Sequence, residues 1–413
     1  MSDINTSGPQ FALDGISVLD LSQGWGGPGG TMLLADQGAD VIKVEPLQGE
    51  QGRGFFANEP INGEERGFLA FNRSKRGIAL NLKDPKGKEA LVRLVERADV
   101  LLHNFRLGVA ERLGIDYETL KKINPRLIYV VLGAYGPKGP YGKHRAYDVV
   151  LQSMAGLMHR RAPDGTPLGT GLWVSDTGTA MMLAYAVTLA LLARERTGKA
   201  QQVDLALLNQ ALFMELPDLI RTPEEMETGL KGGFSKELWD YHTPCRCKDG
   251  KYIVTVAMTN EQWQALCNVL GLDHLIGIPA FSSAIKRFRK GDVLHREMEQ
   301  VFMTRNREDW IQPLQQADIP HAPLLERDEV LRHPQLIENN LVEEVDHPKA
   351  GKVYMLGIPF RLSEMPGAIS RPAPLLGQHT REVLLEIGYS DEDIAAMAKA
   401  GAAKLGEEIA GNP

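Results

Sequence analysis

Cysteine is nearly missing from this sequence: 413 residues contain three, Cys245, Cys247 and Cys267. So few cannot build a disulfide framework, and one residue between Cys245 and Cys247 does not match the usual two-residue spacing of zinc and redox motifs. Isolated reduced thiols and no metal site are expected. Long apolar runs are missing too. The longest, over 180–193, is shorter than the roughly 20 residues of a membrane span and reads as a buried core helix. No basic-then-apolar leader opens the chain, so a cytoplasmic protein without a membrane partner is expected. An excess of positive charge is also absent: the net charge of −7 argues against a nucleic-acid partner, which needs a basic footprint.

The sequence that remains is 43% apolar and 24% charged, ordinary for a soluble globular protein and long enough for two domains. Residues 15–45 read GISVLDLSQGWGGPGGTMLLADQGADVIKVE. An apolar run at 16–21 enters a glycine-rich loop, an apolar helix pattern follows, and a second apolar run covers 41–44. That is a β-loop-α-β unit. Gly24, Gly26 and Gly29 fit G-x-G-x-x-G, and Glu45 sits where a ribose-binding acid would. Alone, the block reads as an NAD-dependent oxidoreductase.

Strand-like runs recur at 78–82, 100–102, 127–132 and 202–205, with helical patterns between them. Asp84-Pro85 opens one such helix, with proline where a missing N–H costs nothing. This alternation implies an α/β fold with a parallel sheet. Composition shifts near Thr222. The expected organisation is a large domain at 13–225, a smaller α+β domain at 226–335, and a return to the large domain over 336–413.

Asp176 lies in GLWVSDTG (171–178), just ahead of a long helical run. It reads as a helix N-cap. A carboxylate at a helix N-terminus is also favoured in its charged form, lowering its pKa by up to roughly one unit. Such a group can attack an acyl carbon, and Gly171 and Gly178 would leave room for the acyl group. The two roles are compatible.

Several ordered segments carry a resemblance: GISVLDLS with GGP, GADVIKVE, FNRSKRGIALNLKDPKGKEAL, ADVLLHNFRLGVAERLG, NPRLIYVVLGAYG, GPYGKHRAYDVVLQSMAGLM, VSDTG and RPAPLLGQHTREVL. Through them, residues 13–390 resemble the family III CoA-transferases. The resemblance implies a Rossmann-like large domain, an interlocked homodimer, and acyl-CoA and carboxylic acid as substrates. CoA would be part of the substrate, with no tightly bound cofactor. It matches Asp176 to a catalytic aspartate that carries covalent acyl and CoA intermediates. It matches Asn72, Lys75, Arg76, Asn104, Arg106, Arg112 and Arg145 to CoA contacts, and sets Trp25 and Tyr147 beside them at the active site. Residues 231–234 (KGGF) are the candidate lid.

The same superfamily contains α-methylacyl-CoA racemases, which pair the aspartate with a His-Asp where this chain reads Ala146-Tyr147-Asp148. A racemase needs an acid/base group on each face of the α-carbon, and a tyrosine with a pKa of about 10 serves poorly near neutrality. Transferase is therefore the favoured reading, with racemase the alternative. An NAD-dependent oxidoreductase and a non-catalytic CoA-binding protein remain further alternatives. Trp25 stands where oxalate-using members carry Gln, and Leu47 where some members carry a basic residue. His144, Arg145, Arg160 and Arg161 add positive charge near the expected pocket, so the substrate stays open.

Overall fold

A computed structural model describes residues 10–54, 59–162, 164–229 and 241–407. Strands and helices alternate from the start. They are β1 (Ser17–Asp20), α1 (Gly26–Ala35), β2 (Asp40–Glu45), α2 (Arg66–Phe71), β3 (Arg76–Leu80), α3 (Pro85–Val95) and β4 (Val100–His103). Next come α4 (Val109–Leu113), α5 (Tyr117–Ile123), β5 (Ile128–Gly133), α6 (Asp148–Ala155), α7 (Val174–Thr197), β6 (Gln202–Ala206) and α8 (Leu207–Met214). Asp84 caps α3 by accepting from the Lys86 N–H at 2.8 Å, with Pro85 at its first position.

The six strands pair in parallel in the order β3-β2-β1-β4-β5-β6. A short strand, Ala403–Lys404, runs antiparallel along the free edge of β3, so the end of the described chain returns to the sheet. Helices cover both faces, and the strands are deeply set: every residue of β3 and β4 is buried. That is why these strands read as continuous apolar runs rather than alternating ones.

Helix α1 packs on α7 with almost nothing between the backbones. A Cβ on Gly29 would lie 2.8 Å from Ala180 Cβ, and one on Gly30 would lie 2.7 Å from Leu183 Cβ. Pro28 falls in the first turn of α1, where no intrahelical partner awaits its nitrogen. Helix α7 contains the apolar run expected to be fully buried. It is buried along one face only, through Gly178, Thr179, Ala180, Leu183, Val187 and Ala190. Met181, Tyr185, Leu189 and Leu192 on its other face are exposed. The helix has the length and apolar character of a membrane span, but its inner face is committed to the sheet and α1.

Residues Asp218–Leu336 form a second compact unit, while the chain up to Pro217 and from Ile337 forms the first. The second unit holds a three-stranded antiparallel sheet of Cys245–Arg246, Tyr252–Thr255 and His321–Pro323. Its core gathers Trp263, Leu266, Phe302 and Trp310. Arg287 is inaccessible there and donates to Asn260 Oδ1 and to the carbonyls of Phe281, Ala257, Met258 and Thr259. Burial pushes the Cys245 and Cys267 thiols up to about 12, so both stay protonated.

Replacing Gly30 with alanine tests the α1–α7 contact. Helix propensity alone favours the change by about 1 kcal/mol, whereas overpacking costs about 1–3 kcal/mol. Because Leu183 is buried and its Cβ is on a fixed helix, packing should win. Urea denaturation of G30A should therefore show a lower midpoint than the parent; a higher one would mean the helices separate freely.

Candidate active site

A cavity of about 560 Å³ opens at the carboxyl ends of β1, β4, β5 and β6. It lies where the strand order reverses, between β1 and β4, the crevice in which open α/β sheets bind ligands. Its walls come from the loop after β1 (Gln23, Gly24, Trp25), the loop after β4 (Asn104 to Leu107) and the long loop after β5 that ends at Asp148.

The loop after β1 stands on a buried ionic network. Asp20 ends the strand and accepts from Ser22 Oγ at 2.5 Å, Thr31 Oγ1 at 2.6 Å and Lys75 Nζ at 3.0 Å. Lys43 Nζ donates to Ser22 O at 2.5 Å and sits 3.6 Å from Glu50 Oε1. Burial opposes the Asp20 charge, but Lys43, Lys75 and the two hydroxyls outweigh it and hold the carboxyl well below the usual range. Burial brings Lys75 down to about 8 against the pull of Asp20. Glu50 then reaches up to accept from Gly24 N at 2.9 Å. From the other side Asn104 brackets Gln23, accepting from its N–H at 3.0 Å and donating to its carbonyl at 2.8 Å. Gly24 has φ +82°, a left-handed conformation open to glycine.

Asp176 is not the cap of α7. The helix begins two residues earlier, with Trp173 in the cap position and making no side-chain cap bond. The acceptor is supplied from α6: Asp148 Oδ2 takes the Asp176 N–H at 3.0 Å. Asp176 thus sits inside the first turn, with the Gly26 amide at the start of α1 beside its carboxylate and favouring its charged form. A Cβ on Gly26 would lie 3.1 Å from Asp176 Oδ1. Burial, then the neighbouring Asp148 charge, push Asp176 up to about 7 against the Gly26 N–H. The expected lowering is reversed, because desolvation exceeds what a helix N-terminus returns. Gly178 does not make room for an acyl group either; a Cβ there would meet Met214 of α8 at 2.7 Å.

Aromatic rings form the wall near Asp176. Trp25 and Trp173 meet edge to face at 5.0 Å, and Trp25 lies 5.8 Å from Phe71. His103, at the end of β4, bonds Tyr129 Oη at 2.8 Å while its Nδ1 accepts from the Phe105 N–H at 3.2 Å. Burial lowers it to about 4, so it is a neutral brace for the loop carrying Asn104 and Arg106.

Of the residues expected at the site, Trp25, Asn104, Arg106, Arg145 and Tyr147 line the cavity with Asp176. Arg106, Arg145 and Tyr147 are exposed at it, and Lys143 and His144 join them. Four others lie outside it. Asn72 and Lys75 are inaccessible, bonded to one another at 2.9 Å within the network. Arg76 is tied to Asp40, Glu382 and Glu386 at 2.6–2.8 Å. Arg112 is an exposed residue of α4. Internal carboxylates hold Lys75 and Arg76, Asn72 is occupied by Lys75, and Arg112 stands off the cavity wall. Arg160 and Arg161 also lie off the cavity wall, and residues 231–234 fall outside the described residues. Asp148 entered the sequence reading only within the Ala146-Tyr147-Asp148 motif, and its bond to Gln152 was not foreseen; their four-residue spacing at the start of a helix was the available signal.

The glycine fingerprint has a different use here from phosphate binding. Gly26 and Gly29 face α7, and Glu45 is held through both oxygens by Arg53 at 2.8 Å, leaving no acid for a ribose. Among the described residues no group of three or more His, Cys, Asp or Glu could hold a metal ion.

Comparison with known proteins agrees with this architecture. The model of CoA-transferase family III matches residues 13–380. A formyl-CoA:oxalate CoA-transferase of Streptomyces coelicolor is 32% identical across 94% of this chain and 98% of that protein. The human succinyl-CoA:glutarate CoA-transferase is 33% identical across 97% and 91%. The crystal structure of a CAIB/BAIF family protein from Brucella suis superposes with a TM-score of 0.81 at 28% identity, covering 92% of this chain and all of that one. The chain belongs to CoA-transferase family III, and it is an enzyme that transfers CoA.

The raised Asp176 pKa has a stability consequence with a definite sign. The folded state binds this proton more tightly than the unfolded state, so Asp176 lowers stability as pH rises from about 4 to above 7. Asp176→Asn should raise the melting temperature at pH 8, through a stabilisation of a few kcal/mol at most given about 1.4 kcal/mol per pKa unit. The gain should vanish at pH 4. Equal melting temperatures at pH 8 would contradict the burial of this carboxylate.

Proposed function

We propose that this enzyme moves CoA from an acyl-CoA thioester to a free carboxylic acid through covalent intermediates at Asp176. The observation that carries the reading is a half-buried carboxylate facing a cavity whose rim bears Arg106, Lys143 and Arg145. These cations suit the phosphates of CoA, and the strand order is that of doubly wound nucleotide-binding folds.

An Asp176 oxygen attacks the thioester carbonyl, the C–S bond breaks, and CoA leaves as a thiolate, giving an aspartyl-acyl anhydride. The thiolate attacks the aspartyl carbonyl and expels the donor carboxylate, leaving an aspartyl-CoA thioester. The acceptor carboxylate attacks that thioester, the C–S bond breaks, and CoA thiolate leaves, giving a second mixed anhydride. CoA thiolate then attacks the acceptor's carbonyl, releasing the new acyl-CoA and free Asp176. A carboxylate with a raised pKa is a stronger nucleophile than a solvated one, and the site's apolar wall keeps water from the anhydride. The Gly26 N–H points at the aspartyl oxygen, where charge collects during each attack. No cofactor need stay bound.

The family's interlocked homodimer fits the exposed apolar strip of Met181, Tyr185, Leu189 and Leu192 on α7, with Val150 and Met154 on α6 and Phe213 on α8. A patch of this kind marks an association surface.

Hydroxylamine added during turnover with a panel of acyl-CoA donors should convert Asp176 to its hydroxamate, read by mass spectrometry. Absence of the adduct with every active donor would sink the mechanism, and deuterium entering the α-carbon of a 2-methylacyl-CoA would indicate a racemase. Asp176→Ala should cost at least about 10³-fold in kcat, the scale for losing a covalent nucleophile. Light scattering should give a dimer for the parent chain. Tyr185→Asp with Leu189→Asp should yield monomers; a dimer unaffected by both would place the interface elsewhere.

A further inference from the structure

We infer that Asp148 is a positioning residue for Asp176, and that its fixed negative charge drives the acyl group onto the Asp176 carboxylate. This rests on the reading that Asp176 carries covalent intermediates.

Asp148 opens α6, is 2% exposed, and lies in the cavity wall beside Asp176. Both its oxygens are taken by neutral donors. Oδ2 accepts the Asp176 N–H at 3.0 Å, and Oδ1 accepts from Gln152 Nε2. Gln152 is anchored in turn: its Nε2 donates to Leu172 O at 2.7 Å, and its Oε1 accepts from Thr170 Oγ1 at 2.9 Å. The approach to α7 is thereby stitched to α6, and the Asp148 carboxylate cannot swing away from its neighbour.

The surroundings supply little counter-charge close by. Helix α1 brings the Gly26 N–H and no titratable side chain, and α8 brings none over Leu207–Met214. Glu215, just beyond α8, faces His159 at 3.9 Å. Asp204, at the sheet side, and Arg106, Lys143, His144, Arg145 and Tyr147 line the rest of the cavity. Burial and Asp148 are what raise Asp176, with no cation among the causes.

Acylation removes this conflict. When an Asp176 oxygen bonds to the acyl carbon and the C–S electron pair leaves with CoA, the negative charge moves from Asp176 to the thiolate. The half-buried side chain becomes neutral, and repulsion from Asp148 ends in the same step. The free enzyme is raised relative to its covalent states, while the Asp148 bond to the Asp176 backbone keeps the first turn in place through both.

Asp148→Asn tests this, since an amide oxygen can still accept the Asp176 N–H. The acidic limb of kcat/KM should move about one pH unit lower, the low end of the effect of a neighbouring charge. The fraction of enzyme trapped at Asp176 should fall at saturating acyl-CoA. Asp148→Glu, which keeps the charge but displaces it, should reduce kcat with the limb nearly unmoved. An Asp148→Asn activity that falls equally at every pH, or a profile identical to the parent's, overturns the inference. If the asparagine variant does not fold, Asp148→Ser supplies a neutral acceptor in its place. Carboxyl ¹³C titration of Asp176, assigned with Asp176→Asn, needs no turnover. A parent enzyme that forms no adduct therefore refutes the covalent reading, while an unmoved Asp176 titration in the neutral variants refutes the role of Asp148.

Discussion

Helices α1 and α7 touch backbone to backbone, and most of what matters in the large unit follows from that contact. Four glycines in the first five positions of α1 make it a poor helix by propensity. They are tolerated because neighbours occupy the space their side chains would fill, α7 at Gly26, Gly29 and Gly30 and Ser22 at Gly27. The same approach brings the amide at the head of α1 to the carboxylate in the first turn of α7. A side chain at position 26 would press directly on Asp176 Oδ1. One packing constraint thus sets both the helix layer over the sheet and the placement of the Asp176 carboxylate.

Beneath this contact lies a second, more costly arrangement. Asp20, Lys43, Glu50 and Lys75 are withdrawn from water, and a buried ion pair recovers its desolvation cost only with good geometry and further hydrogen bonds. Here the ions are shared among hydroxyls, carbonyls and the Gly24 amide. Their product is a rigid loop, one that holds its shape because charges on four separate segments would be stranded if it moved.

The sheet was legible in the sequence because its strands are apolar on both faces and separated by helix-length intervals, and Asp84-Pro85 announced its helix correctly. Asp176 was singled out as a candidate through the segments resembling the family, and it does line the cavity, but its place in the helix was not legible. The residue that caps α7 lies 28 positions away on α6, beyond the reach of any local rule. The direction of its pKa failed for a related reason: burial is a property of the assembled chain. Lys75 and Arg76 illustrate the limit for charges. A basic cluster looks the same in sequence whether it meets phosphate or, as here, internal carboxylates. The 180–193 run was read as core, but only one of its faces is.

Asn104 bonds the Gln23 backbone as another peptide would, with one donor and one acceptor. It does so where β1 and β4 have just ended and the chains leaving them diverge. The side-chain amide therefore continues the ladder for one step past the last true pair. The floor of the crevice is ordered before any ligand arrives, so binding should not have to spend conformational entropy on shaping it.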